Sequence, residues 1–312
     1  MASEPRLLVP LDGSAFAETA LPTALGVART MGVGVELVSV IYELDLIRVQ
    51  DLPLPSADPA ASAQGLEQEV REYHDTLIDR IRQVTTVPVS STILHGPVAQ
   101  KLEGYVGEST PDLVVMSTHG RGTLSRAWLG SVADRLVRHV QVPVMVVRPV
   151  EGEETTLGDT HAFTSMVIAL DGSTRAEQPI PLALRIGKSS GARVSLVRVV
   201  PMPSGMQSVY LPDASAAVHE ALERGQEDAT AYLDAMAKRL ADQGGAVTSA
   251  VVTGRAPAQG ILDHADDVSA DLIVIATHGR SGVVRALLGS VADKVLRAAD
   301  AAVLIVRPRD EK

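Results

Sequence analysis

Apolar positions along the first half of the chain fall into alternating strand-like and helix-like patterns. Residues 6–11 form a short apolar run that reads as a strand, and residues 15–31 read as one helix ending at Gly32. Residues 35–41 read as a second strand. Further on, Leu66, Val70, Tyr73, Leu77, Ile81 and Val84 recur at helical intervals and place one apolar stripe on a packed helix over residues 66–84. Residues 87–94, 113–116 and 144–147 read as three more strands, with helices over 99–105 and 131–139. The order βαβαβαβαβ predicts a doubly wound, Rossmann-like α/β fold, in which a parallel sheet with right-handed crossovers is covered by helices on both faces. Such sheets take ligands at the carboxyl ends of their strands, where strand order reverses. Residues 45–65 and 201–217 break the regularity, each after a second strand. Loops of that length suit either a lid or a tolerated insertion.

The pattern then repeats. DLVVMSTHGRGTLSRAWLGSVADRLVRHVQVPVMVVRP, from Asp112, aligns without a gap on DLIVIATHGRSGVVRALLGSVADKVLRAADAAVLIVRP, from Asp271, an offset of 159 (271 less 112). The same offset carries Asp12-Gly13-Ser14 to Asp171-Gly172-Ser173 and Val40 to Val199. One shift that fits the start, middle and end of each half means duplication of a whole domain. Residues 1–150 and 165–312 are the expected domains, and the polar, acidic stretch 151–164 the expected linker.

Composition narrows the classes of function. A length of 312 residues suits two self-sufficient cores, and their apolar content comes from Val, Leu, Ile and Ala, as buried parallel strands require. With no cysteine, disulfides, thiolate metal sites and cysteine nucleophiles are excluded. A formal net charge of −10 opposes non-specific nucleic-acid binding. Neither a long apolar span nor a signal peptide is read from the sequence, and a cytoplasmic location is expected.

The residues with most chemistry lie between the fourth strand and the last helix of each copy: Ser117-Thr118-His119-Gly120, nine residues, then Gly130-Ser131, and Ala276-Thr277-His278-Gly279 with Gly289-Ser290. A strand tip, a glycine turn and a glycine at a helix start direct backbone N–H groups into one crevice, which suits phosphates. Arg121, Arg126, Arg280 and Arg285 flank the turn and could add charge-assisted bonds. A structural reading stands beside this one. Ser131 with Asp134, and Ser290 with Asp293, also have the form of a helix N-cap with an acidic residue three on. Asp12 and Asp171 sit at strand ends, where a carboxylate could accept a bond from ribose or adenine or hold Mg²⁺ through water, yet Asp-Gly-Ser is also an ordinary turn. His119 and His278 have no carboxylate at fixed spacing to orient them as acid or base.

The run S-T-H-G-R, the nine-residue interval to Gly-Ser, V-A-D and the closing V-x-V-V-R-P resemble the universal stress protein family over nearly the whole chain. ATP-binding members of that family carry Gly-x2-Gly-x9-Gly-Ser/Thr. The second and third glycines match Gly120 and Gly130, then Gly279 and Gly289, while Ser117 and Ala276 replace the first. The resemblance implies ATP at one site per half, with Asp12 or Asp171 at the adenosine end and the backbone of Val40 or Val199 against adenine. Around these it implies Pro10, Leu11, Gly96, Ser117, Thr118, His119, Gly120, Arg121, Gly130, Ser131 and Val132 in the first half. In the second half the set is Ala169, Leu170, Gly254, Ala276, Thr277, His278, Gly279, Arg280, Gly289, Ser290 and Val291. Mg²⁺ with the phosphates, an intramolecular pseudo-dimer of the two domains, further homodimerisation and an unidentified protein partner complete what it implies.

Three classes of function compete on these residues. A nucleotide-binding regulatory protein, whose ATP changes its shape or partners, is favoured by the missing catalytic residues. A dedicated enzyme is opposed by the absence of a Walker A loop, of kinase signatures and of a Gly-x-Ser-x-Gly elbow, which leaves at most slow ATP hydrolysis. A nucleotide-free scaffold acting by protein contact is kept open by Ser117 and Ala276. A phosphotransfer receiver shares the topology but needs clustered acids and a downstream lysine that the sequence lacks.

Overall fold

The computed structural model describes residues 4–42, 59–118, 129–148, 156–158, 163–202, 212–242, 246–277 and 288–309. The chain divides into two compact units, Met1–His161 and Ala162–Lys312.

In the first unit the strands are β1 (Arg6–Pro10), β2 (Gly34–Ile41), β3 (Val89–His95), β4 (Leu113–Ser117) and β5 (Val144–Val147). The helices are α1 (Ala15–Glu18), α2 (Ala20–Met31), α3 (Pro59–Val84), α4 (Val98–Ser109) and α5 (Ser131–His139). Every pairing is parallel and the strand order is β3-β2-β1-β4-β5. The chain reverses direction across the sheet between β1 and β4, so their carboxyl ends flank the crevice that such sheets use for ligands. Leu7, Leu8, Leu113, Val114 and Val115 have no exposed surface, as central strands covered on both faces require.

The second unit repeats this with β6 (Ser165–Ala169), β7 (Arg193–Val200), β8 (Val247–Thr253), β9 (Leu272–Ala276) and β10 (Ala302–Val306). Its helices are α6 (Thr174–Glu177), α7 (Ile180–Gly187), α8 (Pro212–Ala241), α9 (Pro257–Asp267) and α10 (Ser290–Ala298). Its order is β8-β7-β6-β9-β10, again all parallel. The doubly wound, duplicated α/β fold expected from the sequence is therefore the fold observed.

Two local expectations differ. The helix read over 15–31 is two helices, broken at Thr19. Pro22, and Pro181 at the matching place, have no N–H to give the carbonyl four residues back, so the ladder is interrupted after the short first helix in both units. The long segments read as loops are partly helical: α3 opens at Pro59 and α8 at Pro212, a residue type whose missing N–H is harmless in a first turn. Residues 45–58 and 203–211 of those segments lie outside the described residues.

Candidate functional site

In the second unit the carboxyl ends of β6, β7 and β9 and the first turn of α10 surround a cavity of about 520 Å³. That size lies within the range of roughly 300–1,000 Å³ usual for small-molecule sites. Ala169, Leu170 and Asp171 come from the end of β6, Val199 from β7, Ala276 and Thr277 from β9, and Gly289, Ser290 and Val291 from the start of α10. All nine are expected from the sequence. Gly254 is not part of this lining. It turns the chain after β8 with φ 72°, and its N–H donates at 2.9 Å to the carbonyl of Val200, a residue of the cavity wall; Gly96 does the same to Ile41 in the first unit, with φ 121°. His119, Gly120, Arg121, His278, Gly279 and Arg280, with the flanking Arg126 and Arg285, lie outside the described residues.

The base of the loop that carries His278 is nevertheless defined. Gly289 N–H donates to the Thr277 carbonyl at 2.9 Å, and Gly130 N–H to the Thr118 carbonyl at 2.8 Å. Strand tip and helix start are thereby pinned together in both units. Gly289 is the N-cap of α10 and Gly130 that of α5, each in extended φ/ψ and without a side-chain cap bond. Ser131 and Ser290 are therefore first helical residues, not caps. The capping-box alternative fails because the preceding glycine takes the cap position and the acid is used elsewhere: Asp134 pairs with Arg138 at 2.9 Å and Asp293 with Arg297 at 3.0 Å. With glycine at the cap, no side chain among the described residues caps the first-turn N–H groups of α10, a polarity that favours anions.

Asp171 serves the turn and the cavity together. Its Oδ1 accepts from Ser173 N–H at 2.9 Å and from Ser173 Oγ at 2.6 Å, and Ser173 Oγ in turn caps α6 by accepting from Ala176 N–H at 3.2 Å. Asp12 repeats the arrangement with Ser14, at 3.0 Å and 2.6 Å. Gly13 and Gly172, at φ 78° and 87°, supply the left-handed residue that such a turn needs. In the first unit Pro10 ends β1 and Leu11 follows it, Val40 lies next to last in β2, Ser117 ends β4 and Thr118 follows it, both with little exposed surface, and Val132 follows Ser131 in the first turn of α5.

Among the wall residues that sequence reasoning missed are Arg198 on β7 and, on α8, Gly225 and Asp228. It also missed a clamp behind the site. Tyr73 Oη donates to Glu18 at 3.0 Å and Arg80 pairs with the same carboxylate at 3.2 Å; Tyr232 and Arg239 hold Glu177 likewise, each at 2.9 Å. Burial, reinforced by the nearby glutamate, pushes both phenols well above their usual range. The recurrence of Glu, Tyr and Arg at the 159-residue offset was the signal available in the sequence.

A family model for the universal stress proteins matches residues 5–148 and, a second time, residues 162–307. The chain belongs to the universal stress protein family. A universal stress protein of Mycobacterium bovis is 33% identical over 202 residues, which span 63% of this chain and 62% of that relative. One from Mycolicibacterium smegmatis is 24% identical over 308 residues, 99% of each chain. The crystal structure of a universal stress protein from Archaeoglobus fulgidus shares the fold, with a TM-score of 0.71 at 18% identity over 97% of this chain and 98% of its own. Among the described residues of this universal stress protein, no three His, Cys, Asp or Glu side chains converge as a metal site, and no helix is long and apolar enough to cross a membrane.

Proposed function

We propose that this universal stress protein is a cytoplasmic ATP-binding regulatory protein with one nucleotide site in each unit, ATP acting as a signal and not as a fuel. The observation that carries the reading is the cavity of the second unit, where Asp171, the β7 end and the uncapped first turn of α10 meet around about 520 Å³. A helix start with a glycine cap offers N–H donors and a positive dipole end to phosphate oxygens. Asp171 offers a carboxylate to ribose hydroxyls, and the backbone beside Val199 offers amide groups to a base edge. Mg²⁺ would arrive with the phosphates, held through water near Asp171, since one carboxylate alone makes no cation cage.

Calorimetric titration of the full chain with ATP tests this, with Gly120→Val and Gly279→Val placed together to put branched carbon in the two glycine loops. Two equivalents of ATP bound by the parent and none by the folded double variant is the expected result. Unchanged affinity in that variant overturns the reading. Turnover of bound ATP at the usual enzymatic rate of roughly 1 to 10³ per second would replace the signalling role with catalysis.

A further inference from the structure

The two units differ at several matching positions of the site wall, and at one of them a neutral side chain is exchanged for a cation. Arg198 lines the cavity of the second unit beside Val199, and its guanidinium carbon lies 5.4 Å from the ring centroid of Tyr232. That ring is itself fixed, because its hydroxyl is bonded to Glu177 and Glu177 is bonded to Arg239. In the first unit the 159-residue offset puts Ser39 at the place of Arg198. Ser39 is buried, donates its hydroxyl proton to the Leu11 carbonyl at 2.9 Å and meets His74 Nε2 at 2.8 Å. The place of His74 is taken in the second unit by Leu233, fully buried. A neutral Ser–His pair turned into the protein has thus been exchanged, as a pair, for a leucine and a cation on the cavity wall.

Position along the sheet says which part of a ligand meets that cation. β7 and β9 lie on either side of β6, about 10 Å apart at roughly 4.8 Å per strand step, so Arg198 and the first turn of α10 stand at opposite ends of the crevice with Asp171 between them. An anion seated on α10 leaves the far end of an elongated ligand at Arg198. A planar guanidinium already stacked on an aromatic ring is suited to receive a flat, electron-rich ring system.

We infer that Arg198 is a specificity-determining residue of the second site, where its guanidinium, backed by Tyr232, stacks on the base of the nucleotide and makes this site bind more tightly than the first. The inference rests on the nucleotide reading above. Stacking of this kind corresponds to about fivefold to thirtyfold in affinity.

The test is calorimetric titration of the full chain and of Arg198→Ser, which installs the side chain the first unit already uses, with ATP and separately with inorganic tripolyphosphate. Two ATP phases are expected in the parent, the tighter one weakened about fivefold to thirtyfold in Arg198→Ser, with tripolyphosphate affinity unchanged. Arg198→Lys keeps the charge without the plane and should recover only part of the loss. Equal ATP affinity in parent and Arg198→Ser overturns this inference while leaving nucleotide binding intact. An equal loss for tripolyphosphate, or full recovery with lysine, also overturns it, since either would mean that bulk charge and not base stacking is at work. No ATP binding in the parent overturns the nucleotide reading, and this inference falls with it.

Discussion

Tyr232 donates its phenol proton to Glu177 at 2.9 Å, joining the long helix after β7 to the four-residue helix that follows Asp171, and Tyr73 does the same to Glu18 at 3.0 Å. A four-residue helix cannot hold itself, since nucleation costs more than one turn of bonds returns. The short helices therefore depend on Ser14 or Ser173 at one end and on this clamp at the other.

Removal of the phenol hydroxyl should loosen that attachment locally. Tyr232→Phe is expected to cost about 1 kcal/mol, the usual worth of such a bond, and to speed amide exchange of residues 174–187 about fivefold. The first unit, with Tyr73 intact, is the internal control. Exchange that is unchanged in 174–187 would show that the short helix is held by Ser173 alone.

The duplication made much of the fold legible, because any strand read in one half could be checked at the 159-residue offset in the other. Residues 59–65 read as loop because Pro59 and the small residues after it show no apolar stripe. The break at Thr19 was written in Pro22, but seventeen residues of continuous helical spacing outweighed one proline. In the site, Asp171, Thr277 and Gly289 were legible from spacing. Arg198 was not, since a lone arginine in an apolar strand says nothing until Tyr232, 34 positions on, is found beneath it. Glu177 and Tyr232 stand 55 residues apart, beyond the reach of any local pattern.

Asp171 is expected to matter for ligand more than for fold. Asp171→Asn keeps Oδ1 as acceptor for Ser173 while it removes the negative charge and turns the second oxygen into an NH2 donor, so stability should change by about 1 kcal/mol or less. ATP affinity at the second site should fall about tenfold if the carboxylate holds ribose or a hydrated cation. Equal affinities, with and without Mg²⁺, would confine Asp171 to the turn.

Acid should destabilise both units through His74, which is buried, and His264, which is half-buried. Ser39 gives its one proton to Leu11, so His74 must donate from Nε2, leaving Nδ1 buried and without a partner among the described residues. Burial lowers the pKa of His74, and likewise that of His264, which meets Ser195 at 2.8 Å. Above about 6.5 both rings are neutral in the folded and unfolded chain alike. As pH falls through that value the unfolded chain takes up protons first, so stability declines until the lowered folded pKa is passed. His74→Leu, the residue found at the matching position 233, should flatten this slope in urea unfolding of the first unit between pH 7 and 5. A slope unaltered by the substitution would assign the decline to other groups.

Glu36 provides the opposite test, at lower pH. Its buried carboxylate accepts from Arg6 Nε at 2.7 Å, from Thr92 Oγ1 at 2.7 Å and from the Tyr105 hydroxyl, whereas the second unit fills the matching positions with the Ser195–His264 pair. Burial pushes the Glu36 carboxyl up, but the bonds from Tyr105, Thr92 and Arg6 outweigh it and hold the group below its usual range. A carboxyl with a lowered folded pKa contributes its stability in full above about 4.3, and loses it as pH falls through the folded value. Glu36→Gln can keep its amide oxygen on Arg6 only by turning its NH2 to the Thr92 and Tyr105 hydroxyls, which then must accept and lose the acceptor they shared. A loss of about 2 kcal/mol is expected at pH 7, since bonds to a charged group are replaced by weaker neutral ones and the two hydroxyls must find another acceptor. Amide exchange of residues 34–41 should accelerate accordingly at pH 7, the equivalent residues 193–200 staying as they are. Because the variant has no carboxyl to protonate, the difference from the parent should shrink as pH falls below about 4.3. A difference that persists undiminished at pH 3 would mean that the shape of the side chain, and not its charge, holds Arg6, Thr92 and Tyr105 together.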